Sequence, residues 1–131
     1  MYSQAPRARR WSGAIRRRSF EHPDDLRETP LLTVSLARIG SHWIGRGVVQ
    51  PGWRWCEHLA PVMRAESCPV HHVQVLLSGH FTVRMDDGEE VAFQPGDVMD
   101  VPPGHDAWVV GDEPAVLLDF AGNIDALGLP R

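Results

Sequence analysis

Apolar and polar positions alternate with a period of two along most of this chain, the signature of half-buried strands. Leu32, Val34 and Leu36 alternate with Thr33 and Ser35, which predicts a strand over 32–37. Residues 43–49 form a second strand, loosened by Gly45 and Gly47, and Pro51-Gly52 turns it. Trp53 and Trp55 alternate with Arg54 and Cys56, so 53–58 is expected as a further strand. The apolar run 70–77 stops at Ser78-Gly79, and 80–85 returns from that turn. Asp87-Gly88 makes the next hairpin, and 89–93 runs back to Pro95-Gly96. Short strands over 98–101, 107–110 and 115–120 complete the set. Residues 22–27 are expected as a short helical turn or capped loop, and the tail from Gly122 as a short cap. Short strands with turn signals every 8–12 residues define an all-β domain, a sandwich or closed barrel.

Composition narrows the class. At 131 residues the chain suits one domain, and no apolar run approaches the ~20 residues of a membrane helix. It shows no secretory leader pattern, and two cysteines, Cys56 and Cys68, do not make a disulfide framework; a cytoplasmic setting is expected. Every basic residue is arginine. Six (Arg7, Arg9, Arg10, Arg16, Arg17, Arg18) precede residue 19, where nothing is acidic, so the head carries +6. The remaining seven arginines face seventeen acidic residues, leaving −10 for the body and −4 overall. Residues 1–20 are therefore expected as a flexible arginine-rich extension and 21–131 as the domain. The acidic body argues against a nucleic-acid partner for that domain.

Gly96, Asp97, the strand 98–101 and Pro102-Pro103-Gly104-His105 form the most distinctive segment. Proline ends the strand, glycine turns it, and the backbone aims His105. The order strand, Gly79, hairpin at Asp87-Gly88, then Gly96-x5-Pro102-x-Gly104 resembles the cupins, small antiparallel jelly-roll barrels. The resemblance covers about residues 48–120. The family's usual His/His/Glu/His metal set is not reproduced. Its first two histidine positions fall on Glu66 and Cys68, its glutamate position on His72, and its last histidine position on Ala107, with His105 two residues earlier.

Other donors occupy the same faces. Cys68, Val70, His72 and Gln74 share one side of a regular strand, and the resemblance implies that this side is the barrel interior. His71 then points the opposite way. His105 shares a face with Ala107 and reaches the same cavity. His58 is a candidate fourth ligand from the preceding strand, where regular alternation sets Trp53 and Trp55 on the other side. A Cys68/His72/His105 set, completed by His58, suits zinc, with iron or manganese as alternatives. Gln74, Asp106 and Trp108 are candidate pocket residues, Asp106 as an orienting carboxylate for His105.

Two function classes follow. One is an enzyme acting on a small carbonyl or polyketide-like molecule by metal-assisted isomerisation or cyclisation, with Glu57 or Glu66 as base. The other is a non-catalytic module that binds or senses a small molecule, with a structural metal or none. A closed four-residue shell would favour the second. The resemblance also implies a homodimer, and a scaffold acting through dimerisation is the third reading.

Overall fold

The computed structural model describes residues 13–130. Arg7, Arg9 and Arg10 of the expected extension lie outside them. Residues 13–18 run exposed, Ser19 bridges His22, and the Arg46 guanidinium lies 5.3 Å from the Phe20 ring centroid.

Among the described residues nine strands form two antiparallel sheets. In chain order they are β1 (Asp25–Thr29), β2 (Leu32–Ile39), β3 (His42–Val49), β4 (His72–Ser78), β5 (His80–Met85), β6 (Glu90–Phe93), β7 (Val98–Val101), β8 (His105–Val110) and β9 (Ala115–Asp119). One sheet has the order β1-β2-β3-β9-β4-β7 and the other β6-β5-β8. The expected all-β jelly roll is thus present as a two-sheet sandwich. The short helix α2 (Asn123–Ala126) supplies the C-terminal cap. Among the described residues no helix is long and apolar enough to cross a membrane.

Burial follows the alternation. Along β7, Met99 and Val101 are buried while Val98 and Asp100 are exposed. Along β8, His105, Ala107 and Val109 are buried, and Asp106 and Trp108 face the other way. The inward residues of both sheets form one core with Trp53, Trp55 and Leu59. Gly79 takes φ 79° at the β4–β5 turn, and a Cβ there would also strike the carbonyl of Pro114.

Two elements differ from the sequence pattern. Residues 22–27 are not a helical turn: β1 begins at Asp25 and pairs along its length with β2. Its polar sequence carries no apolar alternation, so the pairing makes the strand. The expected strand over 53–58 is instead a π-helical turn, Trp55–Leu59, running into α1 (Ala60–Met63). Only Arg54 keeps a strand-like bridge, to Trp108. Pro61 favours the first turn of α1, and Arg64 in the left-handed region closes it. Alternating tryptophans imitate a strand because both must be buried; here Trp53 is buried ahead of the helical turn and Trp55 within it.

Candidate metal centre

The Pro102-Pro103-Gly104 corner positions the site. Gly104 has φ 92°, and its N–H donates to the Cys68 carbonyl at 2.7 Å. The Cys68 N–H donates to the His105 carbonyl at 2.8 Å. These bonds fasten the segment before β4 to the start of β8 and set Cys68 beside His105. His72 enters from β4, two alternations beyond Cys68 on the same face.

Cys68, His72 and His105 bring their ligand atoms within 4.8 Å of one another. Cys68 Sγ lies 3.8 Å from His72 Nε2, and the two imidazoles meet edge to face at 5.5 Å. Both rings are held from behind. His105 Nδ1 donates to the Pro102 carbonyl at 2.7 Å; a carbonyl only accepts, so Nδ1 carries the proton and Nε2 is left as the donor atom. His72 Nδ1 donates to Asp119 Oδ2 at 2.6 Å, which turns its Nε2 toward Cys68. Gln74 Nε2 donates to the same carboxylate oxygen at 3.1 Å, and the N–H groups of Ala121 and Gly122 donate to its other oxygen at 2.9 Å. The chain closes tightly over this pair. A Cβ on Gly122 would lie 2.6 Å from His72 Nδ1 and 2.8 Å from Asp119 Oδ2.

Electrostatics favour charge separation in the metal-free cluster. Burial pushes the Cys68 thiol up, but hydrogen bonds from His105 and His72 outweigh it and bring it down to about 7. Burial pushes His72 down, but the Asp119 carboxylate and then Cys68 raise it to about 9. Burial raises Asp119, and His72 with the two backbone N–H groups more than compensates, so it stays below the ordinary carboxylate value.

The donor set fits a metal ion. Zinc takes thiolate and imidazole nitrogen in tetrahedral geometry, with sulfur and nitrogen donors about 3.6 Å apart around the ion. The Cys68–His72 separation is close to that. A carboxylate behind one ligand imidazole and a carbonyl behind the other fix both tautomers, as outer partners of metal ligands do.

The structure disperses the other candidates. His58 is outside the group: Arg54 N–H donates to its Nδ1 at 3.0 Å, because the helical turn folds the ring back on its own start. Glu57 and Glu66 are exposed and do not line the cavity behind the cluster. Gln74 does line it. Asp106 and Trp108 sit on the opposite face of β8 from His105. Asp106 accepts from Arg54 Nε at 2.9 Å and from Cys56 N–H at 3.0 Å, while Arg54 lies 4.4 Å over the Trp108 ring. His105 is oriented by Pro102 instead. His71 faces outward, 2.6 Å from Asp100. Both cysteines are free thiols. Sequence reasoning missed Asp119 and Gly122; the available signal was a carboxylate ending the apolar strand 115–119.

Behind the cluster lies a cavity of about 120 Å³. Its walls are mainly apolar and include Val49, Trp53, Trp55, Phe81, Val83 and Leu117.

No family model matches the chain, and no curated protein matches it in sequence. Solved structures do match. KdgF from Halomonas is 18% identical, with 82% of this chain and 94% of that one covered and a TM-score of 0.56. A protein of unknown function from Rhizobium leguminosarum is 21% identical, covering 77% and 83%, with a TM-score of 0.52. A cupin-like protein from Thermotoga maritima is 16% identical, covering 72% and 71%, with a TM-score of 0.50. At these identities the likeness establishes the fold, which is that of a small cupin domain.

Proposed function

We propose that this protein is a metal-binding cupin that takes a small molecule at a metal held by Cys68, His72 and His105. The observation that carries the reading is the convergence of one thiolate and two imidazoles on the polar end of an apolar cavity, each imidazole braced from behind. Zinc is the ion the thiolate favours, with iron or manganese as alternatives. Three protein donors leave a coordination position for a ligand or water, since His58 is turned away. A metal at this position would polarise a bound carbonyl or acidify a bound water.

An enzyme that isomerises or cyclises a small carbonyl compound fits such a site, with Asp119 holding the His72 proton and the apolar walls excluding water. The exposed positions of Glu57 and Glu66 favour the second reading, a non-catalytic binding or sensing module, because neither carboxylate stands where a base is needed. A homodimer and a cytoplasmic setting belong to this proposal as well. Support for the dimer comes from Val98, 74% exposed on the edge strand β7.

Metal analysis of protein purified without added metal tests the site. One equivalent is expected in the wild type, with loss in His72→Ala and His105→Ala. A metal-free wild type that takes up no zinc, or full retention in both variants, would overturn the assignment. A fourth protein ligand seen by X-ray absorption would rule out the open position.

A further inference from the structure

A second groove lies at the end of the large sheet, away from the metal centre, and it is lined by charge. Arg16, Arg18, Asp24, Arg38, Gly40 and Trp43 form its walls, around a volume of about 460 Å³. Three segments build it: the run at 16–18, Asp24 just ahead of β1, and the hairpin that joins β2 to β3.

Contacts hold the arginines in place. The Arg38 guanidinium lies 5.9 Å from the Trp43 ring centroid, a cation–π distance. Arg16 reaches the hairpin turn, where its Nη1 would lie 3.5 Å from a Cβ on Gly40. Arg18 Nε lies 3.5 Å from Asp24 Oδ2, and the same oxygen accepts from the Arg38 backbone N–H at 2.7 Å. Asp24 therefore ties the run at 16–18 to the end of β2.

The charge of the groove is unbalanced. Three guanidinium groups share one carboxylate, which leaves +2. Among the described residues the Arg16 and Arg38 side chains form no ion pair. From residue 19 onward the chain holds seventeen acidic residues against seven arginines, so partners were plentiful, yet only Asp24 is placed here. Like charges gathered in this way repel, and an arriving anion relieves them.

The donors select which anion. Guanidinium is a planar fork that fits phosphate oxygens in pairs. A phosphate monoester carries close to two negative charges above pH 7 and offers three acceptor oxygens. That matches a net +2 and three arginines, whereas a carboxylate brings one charge and two oxygens. A phosphodiester strand carries one charge per group and needs cations spread along a track; here they gather at one groove of an acidic body. The volume falls within the ~300–1,000 Å³ of small-molecule sites, which leaves room for the rest of the ester.

We propose that this groove binds a small soluble phosphate monoester, with its phosphate held by Arg16, Arg18 and Arg38. The site is independent of the metal-centre reading and stands or falls without it.

The test compares methyl phosphate with dimethyl phosphate, which blocks a second oxygen and drops one charge. Binding to the full-length protein is measured by calorimetry at pH 8 and constant ionic strength, where the monoester is a dianion. Methyl phosphate is expected to bind at least about tenfold tighter than the diester. Arg16→Gln and Arg38→Gln should each weaken it about 5- to 10-fold, while Arg84→Gln, an exposed arginine on β5 outside the groove, leaves it unchanged. Equal or tighter binding of the diester to the wild type would overturn the proposal, and that comparison needs no variant to fold. Absence of saturable methyl phosphate binding would overturn it too. An equal loss in Arg84→Gln would mean that overall charge, not this groove, holds the anion. Binding to phosphatidate vesicles without binding of methyl phosphate would make the groove a membrane contact instead, which also overturns it.

Discussion

The two faces of β8 carry two cysteine clusters built from similar parts with opposite consequences. On the inner face, Cys68 meets His72 and His105, and its thiol falls to about 7. On the outer face, burial and then the Asp106 carboxylate raise the Cys56 thiol, and Arg54 only partly offsets them. Each cluster contains a carboxylate paired with a cation. In the inner one, Asp119 lies behind His72, so the thiol sees the imidazole first. In the outer one, Asp106 faces Cys56 directly. A thiol's character is thus set by which charge stands next to it, and the strand's alternation decides which thiol gets which neighbour.

The sharpest way to break this contrast is to remove ligands from one face at a time. His72→Ala or His105→Ala should lower zinc affinity by more than about 100-fold, beyond what the loss of an outer partner costs, while Asp106→Asn leaves it unchanged. Competition against a chelator of known affinity measures both. A matching loss in Asp106→Asn would mean that the two faces are not independent. Asp119→Asn comes next, with an expected loss of about 10- to 100-fold, since the amide still fills the space but holds the His72 proton less strongly. Gly122→Ala should act in the same direction, because its Cβ would press on that contact.

Thiolate absorbance of the metal-free protein sharpens the comparison further. It should rise in two steps, one near pH 7 and one above the ordinary thiol value of 9.0. Cys68→Ser should delete the first step and Cys56→Ser the second. A single step at one pH would remove the distinction between the faces. Asp106→Asn should cost little stability, at most about 1 kcal/mol in urea denaturation, because Arg54 is 39% exposed and its ion pair is screened by solvent.

Much of this was legible because alternation is local. The bounds of β5 and β7 match the periodic runs, and the shared face of Cys68, His72 and Gln74 follows from counting by twos. What was not legible depended on partners. β1 is polar and becomes a strand only through β2. The segment 53–59, which ends in the turn Trp55–Leu59, carries the same tryptophan spacing as a strand, and this misplaced His58 and the face of both tryptophans. Asp119 lies 47 residues beyond His72 and reaches it only because β9 inserts beside β4. No spacing rule announces that insertion.

The smallest expected effect is a near-absence of one. The folded-state value of His72 is raised from 6.5 to about 9, so its stabilising contribution is complete below pH 6.5 and is lost as pH rises through about 9. That of Cys68 is lowered from 9.0 to about 7, so its contribution is complete above pH 9.0 and is lost as pH falls through about 7. Between pH 7 and 9 one contribution fades as the other grows, and the metal-free protein should show an almost flat stability. Cys68→Ser removes the rising contribution. His72 keeps Asp119, so the variant should lose stability as pH climbs across the same window, approaching but not reaching the limit of about 1.4 kcal/mol per pH unit for one proton. Urea midpoints at pH 7, 8 and 9 measure both proteins. A wild type as steep as the variant would mean that Cys68 does not exchange its proton with His72, and the inner thiol would then differ from the outer one in burial alone.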